Sequence, residues 1–349
     1  MDILHENGEG MILSIIIISH NQKEEFRRCI DSILAMDLPF EHEIIVSDDA
    51  SIDGTWELIV QYQLEYPSIV KAYQCNSNDC NPANTSHRSG WNRCNAYPHA
   101  SGKYIAHVDA DDYFRPGSDV YKRQVEALEM HQECSMALSN ILCIDDGQDL
   151  SEAKRWHKDG IIKEGKILTG KQFIDENLFI LNQAFIQRRN PDANPVELYG
   201  RRYVDSVITF HHLQFGPIVC VDACDYVYVN YQKSVTGEMC KTKDTDVLWC
   251  LGLYIPALIP SWRHDYFIAE YSSIRRVIRM ARSGYALQGK NKNSLNGLGV
   301  YVYDAFNRPL TVLDKCRLSI ANFYMRVMHK FSWNSKLSTN LMYLLLCKE

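Results

Sequence analysis

The sequence predicts an α/β fold with a mostly parallel central sheet, followed by a helical C-terminal region. Runs rich in Ile and Val alternate with segments of helical periodicity over the N-terminal third of the chain. The runs at 13–22, 42–51 and 103–109 each end in polar or acidic residues. Strands that alternate with helices form doubly wound, parallel sheets, whose ligands bind beyond the carboxyl ends of the strands.

The first strand is predicted over 13–22, LSIIIISHNQ, because a nearly continuous β-branched run is typical of a parallel strand covered on both faces. The segment EEFRRCIDSILAM then predicts a helix. Its residues Phe26, Ile30, Ile33 and Leu34 recur at helical spacing, so one helix face is expected to pack on the sheet.

The second strand is predicted over 42–51, HEIIVSDDAS, and ends in two aspartates. The next helix opens at Asp53-Gly54-Thr55, where the aspartate is a favourable cap residue. The third and fourth strands are predicted over 69–74 and 103–109.

The most informative motif is HVDADDYF, residues 107–114, which places Asp109, Asp111 and Asp112 at the end of a buried strand. Three neighbouring carboxylates repel one another and are costly to desolvate unless a cation lies among them. Carboxylate oxygens suit Mg²⁺ or Mn²⁺, which in turn bind nucleotide phosphates. The alternative is an acidic turn whose carboxylates cap backbone N–H groups.

Polar residues follow each predicted strand, and one ligand site explains all of them. These are Ser19, His20 and Asn21 after the first strand, Asp48 and Asp49 after the second, and the aspartates after the fourth. A dinucleotide-binding domain has the same topology, but the first turn, SHNQ, lacks the glycines that allow close approach to a pyrophosphate. A phosphate-binding P-loop is absent for the same reason.

The blocks SIIIISHNQ, IIVSDDASIDGT and SGKYIAHVDADDYF, in this order and spacing, resemble the family 2 glycosyltransferases of the GT-A fold. The resemblance covers residues 11–235. It implies a Rossmann-like nucleotide-sugar-binding domain and an inverting transfer that depends on Mg²⁺ or Mn²⁺. The expected donor is a nucleoside-diphosphate hexose or N-acetylhexosamine. Among these donors, a UDP-sugar is the leading candidate.

The resemblance also implies donor contacts. His20, where tyrosine is more usual, would pack on the donor base, and Asp49 would read the base edge. Arg93 would approach the diphosphate. Asp111 would be the main metal ligand, with Asp109 facing the ribose and the metal. The full set of implied donor-binding residues is Ser19, His20, Asn21, Asp48, Asp49, Arg93, Asp109, Ala110, Asp111 and Lys233.

A catalytic base is implied at Asp205, after the segment LNQAFIQRR at 181–189. The preceding residue is Val204, where the family usually has Glu, so a carboxylate often found beside the base is missing. The alternative is that Asp205 is an ordinary N-cap of the helix VITFHHLQF. Lys233 falls where the family folds a loop over the donor phosphates, and the alternative is a solvated lysine.

The expected organisation is an N-terminal extension over 1–10, a catalytic domain over 11–237 and a mainly helical region over 238–349. The chain has 12 cysteines without metal-ligand spacing, a pattern that indicates reduced thiols in the cytoplasm. We predict no signal peptide, and no apolar run reaches the roughly 18 residues that span a bilayer.

Charge is distributed unevenly, with a balance of −15 over residues 1–240 and +9 over 241–349. The segments 271–282 and 316–331 interleave Arg with apolar residues at helical spacing. Basic amphipathic helices favour anionic membranes, where a lipid-linked acceptor for cell-surface polysaccharide synthesis would be found. The alternative is a helical packing arm or a homodimer interface. A nucleic-acid partner is not expected from a net charge of −6.

Two other functions are weighed against transfer. A sugar-phosphate nucleotidyltransferase requires a glycine-rich loop bearing Arg or Lys after its first strand, and SHNQKEE is not such a loop. A non-catalytic scaffold of the same fold is expected to lose its carboxylates, but this chain has Asp109, Asp111 and a candidate base.

Overall fold

The structure is a computed structural model of the chain. It describes residues 10–75, 85–169, 172–173, 178, 181–190, 208–209, 212–213 and 215–231. The elements below belong to a compact unit formed by residues 1–170 and 178–231. Asp205, Lys233 and the C-terminal region predicted over 238–349 lie outside the described residues.

The described residues form a succession of strands and α-helices. The strands are β1 (Leu13–Ser19), β2 (His42–Asp49), β3 (Val70–Cys75), β4 (Tyr104–Asp109), β5 (Tyr113–Phe114), β6 (Met136–Leu138), β7 (Ile141–Asp145), β8 (Lys154–Arg155), β9 (Ile167–Leu168), β10 (Phe185–Arg188), β11 (Ile218–Cys220) and β12 (Tyr226–Asn230). The helices are α1 (Lys23–Leu34), α2 (Thr55–Glu65), α3 (Thr85–Ala96) and α4 (Val120–Met130).

An eight-stranded sheet forms the centre of the unit, in the order β3-β2-β1-β4-β10-β6-β11-β9. Its first four strands are parallel, as predicted. Strand β10 runs antiparallel to both of its neighbours, so the sheet is mixed beyond β4. The predicted α/β fold is confirmed.

A smaller sheet of four strands, in the order β5-β12-β7-β8, was not predicted. Strand β12 pairs with β7 in parallel and with β5 in antiparallel orientation. One apolar cluster of this sheet consists of Leu142, Ile144, Cys224, Val227 and Val229.

The first strand and helix form as their patterns predict. Every residue of β1 is buried, which accounts for its continuous apolar run. In α1, Phe26, Ile30 and Ile33 are buried together with Cys29, whereas Leu34 is only half-buried. The helix therefore presents one apolar stripe to the interior.

A buried polar network joins β1, β2 and the approach to β4. Glu43 accepts hydrogen bonds from Ser14 Oγ (2.7 Å), the Ser101 amide (2.7 Å) and Lys71 Nζ (2.5 Å). The Gly102 amide donates to Ser14 Oγ at 2.8 Å. A Cβ atom at Gly102 would lie 2.5 Å from the Ser14 backbone nitrogen, so this position requires glycine.

Three boundaries differ from the sequence prediction. β1 ends at Ser19 and β2 at Asp49, because Asn21 (φ 52°) and Ala50 (φ 48°) leave the extended conformation. The N-cap of α2 is Gly54 (φ 90°), although Asp53 Oδ1 still accepts a hydrogen bond from the Thr55 amide at 3.0 Å.

The segment from Ile218 onward contributes a strand to each of the two sheets. It forms β11 in the central sheet and β12 in the four-stranded sheet. Residues 221–225 make the crossing between the two sheets. In the described part of the chain, no helix is long and apolar enough to cross a membrane.

Candidate functional site

The carboxyl ends of β1, β2 and β4 lie side by side, as the sequence predicted. Ser19 is in register with Asp48, and Ile18 is in register with Asp109. The two described non-glycine residues with positive φ, Asn21 and Ala50, lie within two residues of the ends of β1 and β2. Backbone strain of this kind collects at ligand sites, where surrounding contacts hold it in place.

His20 and Asn21 are fixed by hydrogen bonds between the two loops. His20 Nδ1 lies 2.6 Å from the Asp49 carbonyl oxygen, and Asn21 Nδ2 lies 3.1 Å from His20 Nε2. The Ile52 amide donates to Asn21 Oδ1 at 2.8 Å. Because both ring nitrogens of the half-buried His20 have internal partners, the faces of its ring are what it can offer to a ligand.

Asp48 is buried and shapes the loop after β2. It accepts hydrogen bonds from the Ser51 amide (2.9 Å), Ser51 Oγ (2.5 Å) and Gln74 Nε2 (3.3 Å). This carboxylate therefore holds the turn that presents its neighbour Asp49. A direct contact of Asp48 with a ligand stays a prediction.

Asp49 lies in a buried polar pocket with Cys75, Asn92 and Ser19. Cys75 Sγ lies 3.8 Å from Asp49 Oδ1 and 3.5 Å from Asn92 Oδ1. Burial and the charge of Asp49 raise the pKa of Cys75 to about 12, so the thiol stays protonated. Asn92 Nδ2 donates to the Ser19 carbonyl at 3.0 Å, and the buried Ser19 Oγ has no hydrogen-bond partner among the described residues.

Asp109 is held from two sides. Arg93 Nη2 of α3 contacts Asp109 Oδ1 at 2.7 Å, and Gln183 Nε2 donates to Asp109 Oδ2 at 2.5 Å. Arg93 was predicted to approach a diphosphate; the structure pairs it with the first carboxylate of the motif, and the diphosphate contact stays a prediction. The sequence did not identify Gln183, which lies in a short 3₁₀ turn before β10.

Asp111 is half-buried, and its ionised form is poorly compensated. Burial, followed by the charge of Asp109, raises the pKa of Asp111 to about 7. Arg28 Nη2 donates to the Asp111 carbonyl at 3.1 Å and to Tyr231 Oη at 2.7 Å. The guanidinium of Arg28 also lies 4.5 Å from the centre of the Tyr113 ring. Arg28 was not identified from the sequence, because the helical pattern says only that it lies off the apolar stripe.

Asp112 connects the motif to the four-stranded sheet. It is 1% exposed and accepts hydrogen bonds from Tyr226 Oη (2.5 Å) and the Val229 amide (2.9 Å). Burial and the charges of Asp111 and Asp109 raise its pKa well above the ordinary value. Ala110 is buried, and its amide extends the β1–β4 pairing through a 3.1 Å bond to the Ile18 carbonyl.

A divalent cation fits this donor set at Asp111. A carboxylate whose pKa is raised by burial and by like charge gains most from a neighbouring cation. Both oxygens of Asp109 already have partners, so Asp109 fits the cation less directly. Within the described residues, no three His, Cys, Asp or Glu side chains form a ready metal cluster.

Comparison with known proteins identifies the family of this chain. The sequence profile described as Glycosyl transferase family 2 matches residues 14–188. The chain belongs to glycosyl transferase family 2. The matched residues include every donor-side position considered above except Lys233 and end at the last residue of β10.

Curated relatives of this family 2 protein cover parts of the chain. The Mycobacterium tuberculosis protein Rv1520 is 28% identical over 187 residues, which are 53% of this chain and 49% of Rv1520. The poly(ribitol-phosphate) beta-glucosyltransferase of Bacillus spizizenii is 33% identical over 114 residues, which are 32% of this chain and 16% of that protein. The chain thus spans 49% of the length of the first of these relatives.

Solved structures of S. aureus TarS share the GT-A fold with this chain. The complex of TarS with UDP-GlcNAc superimposes with a TM-score of 0.61 and 17% identity, covering 93% of each chain. At this identity the similarity shows the fold. The predicted GT-A fold is therefore confirmed.

Proposed function

We propose that this family 2 protein is an inverting, metal-dependent glycosyltransferase. It transfers a hexosyl or N-acetylhexosaminyl unit from a nucleoside-diphosphate donor to a glycan or lipid-linked acceptor in cell-surface polysaccharide synthesis. The observation that carries this proposal is the convergence of Asp49, Asp109 and Asp111 at one edge of four parallel strands.

The donor base and ribose would bind along the ends of β1 and β2. His20 offers a ring face to the base, held by its bonds to Asp49 and Asn21. Asp49 and Ser19 offer buried acceptor and hydroxyl groups next to it. A UDP-sugar is the donor we propose, because the structural neighbour TarS is described in complex with UDP-GlcNAc.

Asp111 would hold Mg²⁺ or Mn²⁺, with Asp109 beside it facing the ribose. When bound, such a cation binds the donor diphosphate and stabilises the negative charge that develops on the leaving group. Arg93 and Gln183 keep the carboxylate of Asp109 in one orientation. A fixed carboxylate recognises the ribose hydroxyls with less loss of entropy than a freely rotating one.

Asp205 is the proposed catalytic base. Inversion requires a group that accepts the proton of the acceptor hydroxyl while that oxygen attacks the anomeric carbon opposite the leaving diphosphate. The proposal rests on the position of Asp205 after the LNQAFIQRR segment, part of which forms β10 next to β4. Lys233 is proposed to neutralise phosphate charge.

The acceptor and the location of the protein are proposed from charge and from its relatives. A relative described as a poly(ribitol-phosphate) beta-glucosyltransferase supports a polymeric cell-surface acceptor. The +9 balance of residues 241–349 supports a peripheral contact at the inner face of the membrane, with a homodimer interface as the second candidate.

The proposal is tested by calorimetry of UDP binding in Mn²⁺ and in chelator. Asp111→Asn removes a charged ligand and keeps the shape, so the Mn²⁺-dependent part of the UDP affinity should fall at least tenfold, or about 1.4 kcal/mol. Asp146→Asn, which changes an exposed aspartate after β7, is the matched control and should bind as the parent does. Equal UDP binding by the parent protein in Mn²⁺ and in chelator would contradict metal dependence.

A further inference from the structure

An exposed aromatic pair lies at the edge of the four-stranded sheet. Trp156 directly follows β8 and is 43% exposed. Its ring centroid lies 6.5 Å from that of the half-buried Tyr228, with the ring planes at 84°. Edge-to-face packing of this kind fixes the orientation of the indole and leaves at least one of its two faces uncovered by Tyr228.

The pair lies on the same face of the sheet as the contact with Asp112. Strand pairing aligns Tyr226 of β12 with Ile141 of β7, and the Trp156 amide bonds the Ile141 carbonyl at 2.9 Å. Residues aligned across a sheet share a face, and Tyr228 shares it because it lies two positions from Tyr226. Two strand spacings separate Trp156 from Tyr226, or about 10 Å.

A series of hydrogen bonds also connects the segment that holds Trp156 to the donor site. Its neighbour His157 donates its amide to Asn140 Oδ1 at 3.1 Å, and Asn140 Nδ2 donates to the His157 carbonyl at 2.8 Å. The adjacent Ser139 donates its amide to the Ala184 carbonyl at 2.9 Å. Ala184 follows the glutamine that bonds Asp109. These hydrogen bonds join the segment that holds Trp156 to the residues that hold Asp109.

We propose that Trp156 and Tyr228 form an acceptor platform that binds a pyranose ring of the acceptor glycan. The proposal rests on the function proposed above and names the acceptor side of the same site. The C–H groups on one face of a pyranose pack on a flat, electron-rich indole, and a rigid aromatic ring gives large contact area with little loss of side-chain entropy. An anionic ligand gains less from the electron-rich face of the ring.

The test measures saccharide binding directly. Cellotetraose and chitotetraose are titrated by calorimetry into the intact protein, with and without saturating UDP and Mn²⁺. At least one tetrasaccharide should bind the parent protein. Trp156→Ala should weaken that binding about tenfold or more, and Trp156→Phe only by a few fold, since it keeps a flat ring.

The matched control is Phe215→Ala, which removes an aromatic side chain that is 44% exposed and lies outside the four-stranded sheet. It should leave saccharide binding unchanged, and all three variants should melt and bind UDP as the parent does. The platform is overturned if neither tetrasaccharide binds the parent protein, or if Trp156→Ala binds as tightly as the parent. If the parent protein does not bind UDP, the proposed function is contradicted. The platform is not, because the titration without UDP still tests saccharide binding by Trp156.

Discussion

Asp111 connects the chemistry of one side chain to the stability of the free protein. Burial and the charge of Asp109 raise its pKa to about 7 in the folded state, against 3.8 for an unperturbed aspartate. A group with a raised folded pKa stabilises the fold fully below its unfolded pKa, and that contribution is lost as the pH rises through the folded pKa. The free protein is therefore expected to lose stability between these two values.

We expect Asp111→Asn to remove this loss. In chelator, the melting temperature of the variant should exceed that of the parent at about pH 8 and approach it at about pH 4. Mn²⁺ should raise the melting temperature of the parent at the higher pH but not that of the variant, because the ionised carboxylate is the ligand. Thermal unfolding followed across this pH range decides the matter. If the curves of parent and variant run parallel, ionisation of Asp111 has no cost in the fold.

A second residue-scale prediction concerns Asp205. Asn at this position keeps the size and capping ability of Asp but cannot accept a proton. Sugar transfer should fall by about 10² to 10⁴, the usual contribution of a general base, while UDP affinity and melting temperature stay near the parent values. If Asp205→Asn instead unfolds more easily and keeps its turnover per folded molecule, Asp205 is a helix cap. The base is then to be sought among Asp112, Asp192 and Glu197.

At the scale of elements, β1, β2 and β4 are locked together at the edge opposite the site. Glu43 is fully buried, and although burial alone raises its pKa, hydrogen bonds from Lys71, Ser101 and Ser14 outweigh burial and lower it. The stabilisation that these hydrogen bonds give is fully present above the ordinary pKa of glutamate, and it is lost as the pH falls through the lowered pKa of Glu43. The relative positions of the strand ends at the site depend on the alignment of β1, β2 and β4 that this network holds.

Gly102→Ala should disturb the alignment of β1 with β4. The added methyl would lie 2.5 Å from the Ser14 nitrogen and 2.8 Å from the Tyr104 carbonyl oxygen, both backbone atoms that cannot move aside alone. We expect a loss of about 1–3 kcal/mol or more in the free energy of unfolding, measured in urea. Gly147→Ala is the control, since its φ of +83° costs about 1 kcal/mol but nothing lies within 4 Å of its Cβ. Equal losses in both variants would mean that the close approach at Gly102 has no cost.

The elements that the sequence predicted are those whose patterns are local. The apolar residues of β1 recur at spacings of two or less, and those of α1 at spacings of three to four. Each pattern therefore predicts its own element from a short stretch of sequence. The four-stranded sheet escaped prediction because β5 and β8 have two residues each, and Tyr226 finds its partner Phe114 only in the folded chain. Short strands carry too little pattern to be distinguished from loops.

The same reasoning separates the parts of the candidate site. Asp49 and Asp109 end strands and Asp111 follows one, so the rule that ligands bind at strand ends predicts that they lie together. Gln183 donates a hydrogen bond to Asp109, and Asn92 donates one to the Ser19 carbonyl; both bonds join distant parts of the chain. No spacing of residues in the sequence predicts such hydrogen bonds.

At the scale of the whole molecule, the separation of charge is the most informative property. Residues 1–240 hold 21 basic and 36 acidic side chains, whereas residues 241–349 hold 16 basic and 7 acidic ones. A uniform negative charge would keep the protein away from anionic lipids. A separated charge lets the basic part approach a membrane while the acidic part remains in solvent.

We therefore expect the intact protein to sediment with anionic liposomes at low salt and to be released at high salt, as screening shortens the reach of the basic side chains. Deletion of residues 316–349, which include the Arg-bearing apolar segment at 316–331, should weaken sedimentation. Neutral liposomes are the control for apolar adsorption and should retain little of either protein. An intact protein that ignores anionic liposomes at low salt while remaining dimeric would place these segments in a subunit interface. A lipid-linked acceptor, as proposed above, would then have to reach the site without a membrane contact from this region.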